Sequence, residues 1–337
     1  MTSTMTSTRV FTLVNPMSSR SDPGEVEGLA RKYLGERHAP VRLMLEGDQA
    51  SELVRRALDE ERPEMVVVAG GDGTVSGAAS ALVGTSIPLA IVPVGTANML
   101  AEQLGIPSDP EEAMMLASGG HGLRAIDAME IEGRLFFLNA GVGVSSRTVR
   151  DMSDESKRRF GVAAYFWTGI TSSLWAPPAR FRVTIDGSER DFRGIEVSVI
   201  NAGFREQPNV PGVPEIQPDD GALDVMLVWT PTPAGYIQHI GNVVAQRRPV
   251  EPNVRWLRAR REVVIDAGEV LPVQADGDIV APTPVTVRLV PRAVSVVVPS
   301  EEGAKQEGGG SSETDREAGG GSSEADRGGP QEEHGDG

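Results

Sequence analysis

The sequence predicts a two-part chain: an α/β domain built on a parallel sheet, followed by an antiparallel β-sandwich. Three observations carry this. Between Val10 and Leu104, apolar runs of strand length alternate with helix-compatible segments, the pattern of a sheet covered on both faces. Beyond about Arg124, helices become rare and short strand-like runs separated by Gly, Asp and Pro take over. From Glu301 the chain holds no aliphatic residue larger than Ala and contains a near repeat, GGGSSETDR then GGGSSEADR. The expected divisions are residues 1–124, 125–300 and a disordered acidic tail over 301–337, with the last strand a candidate to return to the first domain.

Taken in order, Val10–Val14 is a buried strand ending in Asn15-Pro16 and a polar turn. Gly24–His38 has apolar residues at helical spacing. Val41–Leu45 reads as a second strand, and Gly47-Asp48 opens a helix through Leu58. Met65–Ala69 is the third strand and runs into Gly70-Gly71-Asp72-Gly73-Thr74, with a helix continuing over Ala78–Val83. Pro88–Val92 is the fourth strand, and Ala97–Leu104 is a helix stopped by Gly105 and Pro107. In the second part, strands are expected at Ala128–Ile131, Leu135–Leu138, Phe181–Ile185, Ile195–Ile200, Leu223–Val228, Val263–Ile265, Val285–Val290 and Val294–Val298. A helical insertion over Ser145–Leu174 begins basic at Lys157-Arg158-Arg159 and turns aromatic at Tyr165, Phe166 and Trp167, with Trp175 beyond.

Composition narrows the function. The 337 residues include no Cys, which excludes disulfides and thiolate chemistry. The formal charge is -16, which argues against a nucleic-acid partner. About half of it lies beyond Glu301, where 11 acidic residues face 3 basic ones, so the rest of the chain is only moderately acidic. No secretory signal pattern and no apolar run of spanning length is visible, so the expectation is a cytoplasmic protein. The basic and aromatic segment 157–175 could rest on an anionic membrane surface.

Twice a strand empties into a turn containing Gly-Thr: Gly73-Thr74 and Gly95-Thr96. Glycines let a phosphate approach the main chain, and the following helix N-terminus favours negative charge. This makes Gly70, Gly71, Asp72, Gly73, Thr74, Val75 and Ser76 a candidate nucleotide site. Asp72 beside a phosphate suggests Mg²⁺ between them. The turn is not a Walker loop, since no Lys-Ser/Thr follows, and it lacks the third glycine of a dinucleotide fingerprint. By composition alone, Asp219-Asp220-Gly221 is an ordinary turn, and Asp276-Gly277 is a hairpin signal.

Asn15-Pro16, Gly70–Thr74 and Pro93-Val94-Gly95-Thr96-Ala97-Asn98 together resemble the motifs of the diacylglycerol-kinase-type lipid kinases, which include sphingosine kinases and small bacterial lipid kinases. Ala125-Ile126-Asp127, Phe137–Gly141, Pro218–Asp224 and Gln274–Asp278 are similar to later segments of that family. The resemblance implies ATP phosphates against Gly70–Ser76 and near Thr96, with Asn15 assisting. It implies Mg²⁺ at the acidic loop, with Asp220 as a ligand and the carbonyls of Gln217 and Ala222 beside it. It implies Asp276 as general base toward a lipid hydroxyl, with Asp278 sharing the role and Asp127 nearby. The lipid would be taken from a membrane surface, and a homodimer is an expected assembly. The chain departs from the family pattern at Ser76 and Gly77, where Asn and Glu are usual. An NAD kinase-like enzyme and a catalytically weak nucleotide- or lipid-binding relative are the alternatives.

Overall fold

Val10–Val14 (β1) is buried at every position, as a strand covered on both faces must be. The computed structural model describes residues 9–119, 121–151, 178–203, 214–229 and 254–300. After β1 comes Pro23–Leu34 (α1), whose start is fixed by Asp22 accepting from the amides of Gly24 and Glu25, with Pro23 opening the helix. Arg42–Leu43 (β2) follows, then Ala50–Glu60 (α2), Met65–Gly70 (β3), Asp72–Leu82 (α3), Leu89–Pro93 (β4) and Met99–Gln103 (α4). The strands run parallel in the order β4-β3-β1-β2.

Three expectations are revised here. β2 is only two residues long and exposed, because it borders the sheet and pairs with β1 alone, at Leu13 and Val14. α3 begins at Asp72, so Gly73, Thr74, Val75 and Ser76 form its first turn rather than a loop before it. A further helix, Pro110–Ser118 (α5), was not anticipated, although Asp109-Pro110-Glu111-Glu112 carries a full start signal: Asp109 accepts from the amides of Glu111 and Glu112.

The second part is antiparallel. It comprises His121–Ile131 (β5), Arg134–Phe136 (β6), Asn139–Gly143 (β7), the short helix Val144–Asp151 (α6), Ala179–Ile185 (β8), Ser188–Ile200 (β9), Leu223–Trp229 (β10), Val254–Ala259 (β11), Glu262–Asp266 (β12), Pro272–Ala275 (β13), Asp278–Pro282 (β14) and Val285–Pro299 (β15). β8 shows the alternation of a one-sided strand, with Phe181, Val183 and Ile185 buried and Arg180 and Arg182 exposed. The expected separate strands at Val285–Val290 and Val294–Val298 are one strand with an irregularity between them.

β5 and β15 tie the two parts together. β15 lies antiparallel to β5 from Arg288 to Pro299, and at Val296 it pairs in parallel with Leu89 of β4. Ile126, Ala128, Val294, Val296 and Val297 belong to the core of the α/β part. Met129, Ile131, Val285 and Val287 belong to the core of the antiparallel part. The helical expectation over Ser145–Leu174 is covered only up to Asp151 by α6. The basic and aromatic residues of 157–175 and the tail 301–337 lie outside the described residues.

Candidate functional site

The register of β3 on β4 sets Gly70 opposite Pro93, so the two strands end level and their turns stand side by side. They touch. A Cβ on Gly95 would collide with the Cα of Gly71, and a Cβ on Gly70 would lie 2.6 Å from the Cβ of Thr74. Asn98 adopts a left-handed conformation, and its amide closes the second turn through reciprocal 2.9 Å bonds with the main chain of Gly95. Asn15 Nδ2 donates to Thr74 Oγ1 at 2.8 Å. Arg20 donates its amide to the Val94 carbonyl at 3.0 Å, and Thr96 Oγ1 donates to Ser19 Oγ at 3.1 Å. Three loops are thereby fastened around the N-terminus of α3. At Gly73 an added Cβ would meet no protein atom, so the face of this turn is open. Val75 directs its side chain into the core, leaving its main chain for the turn.

Asp276 comes to this place from the other part of the chain. Asp276 and Gly277 both have positive φ, 48° and 89°, and form the tight turn between β13 and β14. The hairpin reading and the site reading of this dipeptide are therefore compatible. The Asp276 carboxylate accepts from Ser76 Oγ at 2.5 Å and Phe137 N at 2.9 Å on one oxygen. On the other it accepts from Leu138 N at 3.0 Å and Asn139 N at 3.1 Å. Burial pushes this carboxyl above its ordinary value, against the opposing pull of the Ser76 hydroxyl and the three amides. Asp72, the first residue of α3, points toward the start of α4, with Leu100 N at 3.4 Å. Its carboxyl is also raised, chiefly by burial and further by the charge of Asp276. Ser76 and Asp276, 200 positions apart, thus bring two carboxyl groups, Asp72 and Asp276, to one helix N-terminus. Asp278 is exposed at the start of β14.

Asp127 is held at the acidic loop. Its buried carboxylate accepts from Gly221 N at 2.8 Å and Arg292 N at 2.7 Å, and its own amide donates to Pro218 O. It pins the acidic loop to the sheet and is not bonded to Asp276. Within that loop, Asp219 holds Arg124 in a two-pronged pair. Asp220 accepts from Ala222 N at 3.1 Å and is paired with the Arg258 guanidinium. Gln217 donates its side chain to Glu215. Asp224, buried beside them, is raised to about 6, by burial first, against the pull of Arg258. Among the described residues no group of three acidic or His side chains is arranged to hold a metal ion. Each Asp220 oxygen carries one donor, Ala222 N on one and Arg258 on the other, and Asp224 Oδ1 beside them is buried without a hydrogen-bond partner.

Sequence reasoning set Ser76 among the phosphate contacts and did not foresee its bond to Asp276. It quoted Phe137-Leu138-Asn139 only for likeness, whereas their main-chain amides grip Asp276. It also missed Glu196. This buried carboxylate accepts from Ser145 N and Oγ at the start of α6 and from Ser198 Oγ in its own strand, and one of two Glu in β9 leaves no pattern that marks it.

Residues 9–131 match the model of the diacylglycerol kinase catalytic domain, and residues 139–298 match that of the YegS C-terminal NAD kinase beta sandwich-like domain. A Pseudomonas aeruginosa protein named "Probable lipid kinase YegS-like" is 31% identical over 273 residues, 78% of this chain and 86% of that protein. An uncharacterized protein of Synechocystis is 29% identical over 264 residues, covering 75% of this chain. This chain spans only 60% of that cyanobacterial relative. Among solved structures, a diacylglycerol kinase from Bacillus anthracis superposes with a TM-score of 0.67 at 22% identity, over 88% of this chain and 98% of that one, which shows the shared fold.

Proposed function

Because this chain belongs to the diacylglycerol kinase catalytic-domain family of lipid kinases, we propose that it transfers the γ-phosphate of ATP, with Mg²⁺, to a lipid hydroxyl such as that of diacylglycerol. Asp276 is the general base of this reading. The observation that carries it is the seating of Asp276 against the first turn of α3, beside the glycine cradle. Phosphoryl transfer needs a positioned donor, neutralised charge and an oriented nucleophile. The touching glycine turns, the open face at Gly73 and the N-terminus of α3 suit the phosphates. Asn15 supports the cradle through Thr74, and Thr96 borders it.

Asp72 and Asp276 bring like charges to this site, and Mg²⁺ carried with the ATP phosphates fits between such groups. When bound it would neutralise charge on the phosphates. Its holders in this chain would be Asp72 beside the glycine turns and Asp220 at the acidic loop, where Arg258 would have to give way. Burial of Asp276 raises its basicity toward that of a useful proton acceptor. The lipid is taken from a membrane surface; among the described residues no helix is long and apolar enough to cross one.

The test is transfer of radiolabel from γ-labelled ATP to a panel of diacylglycerol, a long-chain base, a polyprenol and NAD. Label in a lipid is expected. Label in NADP alone would favour an NAD kinase-like enzyme, and ATP binding with no labelled product would favour a nucleotide-binding relative. Asp276→Asn is expected to lower turnover by about 10²–10⁴-fold while ATP still binds. Simultaneous loss of ATP binding and folding would assign Asp276 a structural role instead.

A further inference from the structure

An ionised carboxylate offers about four lone-pair positions. Asp276 has filled all of them. Three of its donors are main-chain amides, those of Phe137, Leu138 and Asn139, and cannot swing away. The fourth is the Ser76 hydroxyl. An incoming alcohol therefore finds no open acceptor position on Asp276 itself. Ser76 is different. Its single hydroxyl proton goes to Asp276, and its oxygen keeps two lone pairs able to accept. It also stands in the first turn of α3, the helix whose N-terminus meets the glycine turns, so its hydroxyl joins that helix to the base.

We propose that Ser76 is a further catalytic residue, a relay through which the lipid hydroxyl delivers its proton to Asp276. The inference rests on the reading of Asp276 as general base. In the transfer step the alcohol oxygen forms a bond to the γ-phosphorus as the bond from that phosphorus to the ADP oxygen breaks, its electron pair leaving with ADP. The alcohol proton passes to Ser76 Oγ while the Ser76 proton passes to Asp276 Oδ2. The proton then leaves Asp276 by the reverse path, back to Ser76 Oγ as Ser76 gives its own proton to water, which restores both groups. Nothing is oxidised or reduced.

A mere fastener between α3 and the β13–β14 turn would act differently. Removing it would loosen the fold and the ATP site together, and chemistry would fail only as a consequence. The experiment compares Ser76→Ala, Ser76→Thr and Asp276→Asn with the unaltered chain, using the most active lipid of the panel. The readouts are kcat, KM for both substrates, ATP binding by calorimetry and thermal melting. Ser76→Ala is expected to lower kcat by about 10²-fold or more with KM for ATP and lipid nearly unchanged, and Ser76→Thr to restore most of it. If Ser76→Ala keeps kcat within about threefold of the unaltered chain while Asp276→Asn is inactive, the relay is overturned and the base stands. If Asp276→Asn itself keeps full turnover, the base reading is overturned and the relay with it. If Ser76→Ala loses ATP binding and melting temperature along with kcat, and Ser76→Thr does not restore them, Ser76 is a fastener and the relay is overturned.

Discussion

Gly71 and Gly95 approach so closely that a Cβ on Gly95 would lie 2.4 Å from the Gly71 Cα, and one on Gly71 would be tight at 3.2 Å. Gly95→Ala must push the two turns apart, which is expected to cost about 1–3 kcal/mol in a urea titration and to weaken ATP binding. Unchanged ATP affinity would remove these turns from the nucleotide site. Glu196 gives a second prediction at the residue scale. Burial, opposed by bonds from Ser145 and Ser198, raises its carboxyl from an ordinary 4.5 to about 7. Between those values the folded chain keeps a proton that the unfolded chain has released, so stability falls as pH rises through the window. Glu196→Gln should flatten that part of the stability curve, by on the order of 3 kcal/mol at most. Parallel curves for the two proteins would show that Glu196 is ionised throughout. Neither effect could be read from the sequence: glycine and glutamate look alike wherever they stand, and only packing says which one meets a neighbour.

At the scale of elements, the irregular stretch of β15 between Val290 and Val294 and the acidic loop 218–222 share one anchor, Asp127. Its carboxyl is raised by burial, against the amides of Arg292 and Gly221, and the charges of Asp220 and Asp219 raise it further. Asp127→Ala leaves those two amides without their acceptor and should cost about 2–5 kcal/mol in chemical denaturation. Loss of turnover with full stability would instead place Asp127 in the chemistry. The strands and helices themselves were mostly legible, because β1, β3 and β4 are continuous apolar runs and α1 carries Asp22-Pro23 at its start. α5 was equally legible and overlooked. β7, β11, β13 and β14 are too short or too weakly patterned to declare themselves, since Gly141 and Gly143 lie in β7 and prolines bound both β13 and β14.

At the scale of the whole molecule, β15 crosses both cores, so the two parts cannot be cut apart at a single position. A chain ended at Val290 loses the strand beside β4 and the apolar side chains of Val294, Val296 and Val297 from the α/β core. It should fail to fold, whereas a chain ended at Ser300 should melt within about 2 °C of the full protein, since the residues beyond it hold nothing to bury. Circular dichroism melts of both truncations check this, and a folded product ending at Val290 would refute the shared-strand account. The sequence alone determined the class of each part, the phosphate-suited glycine turns and the family, because hydrophobic period and glycine spacing are local and survive in one dimension. The tertiary structure decided where Ser76 and Asp276 meet and which cation faces Asp220. Those outcomes depend on contacts between residues far apart in the chain, and no local pattern encodes them.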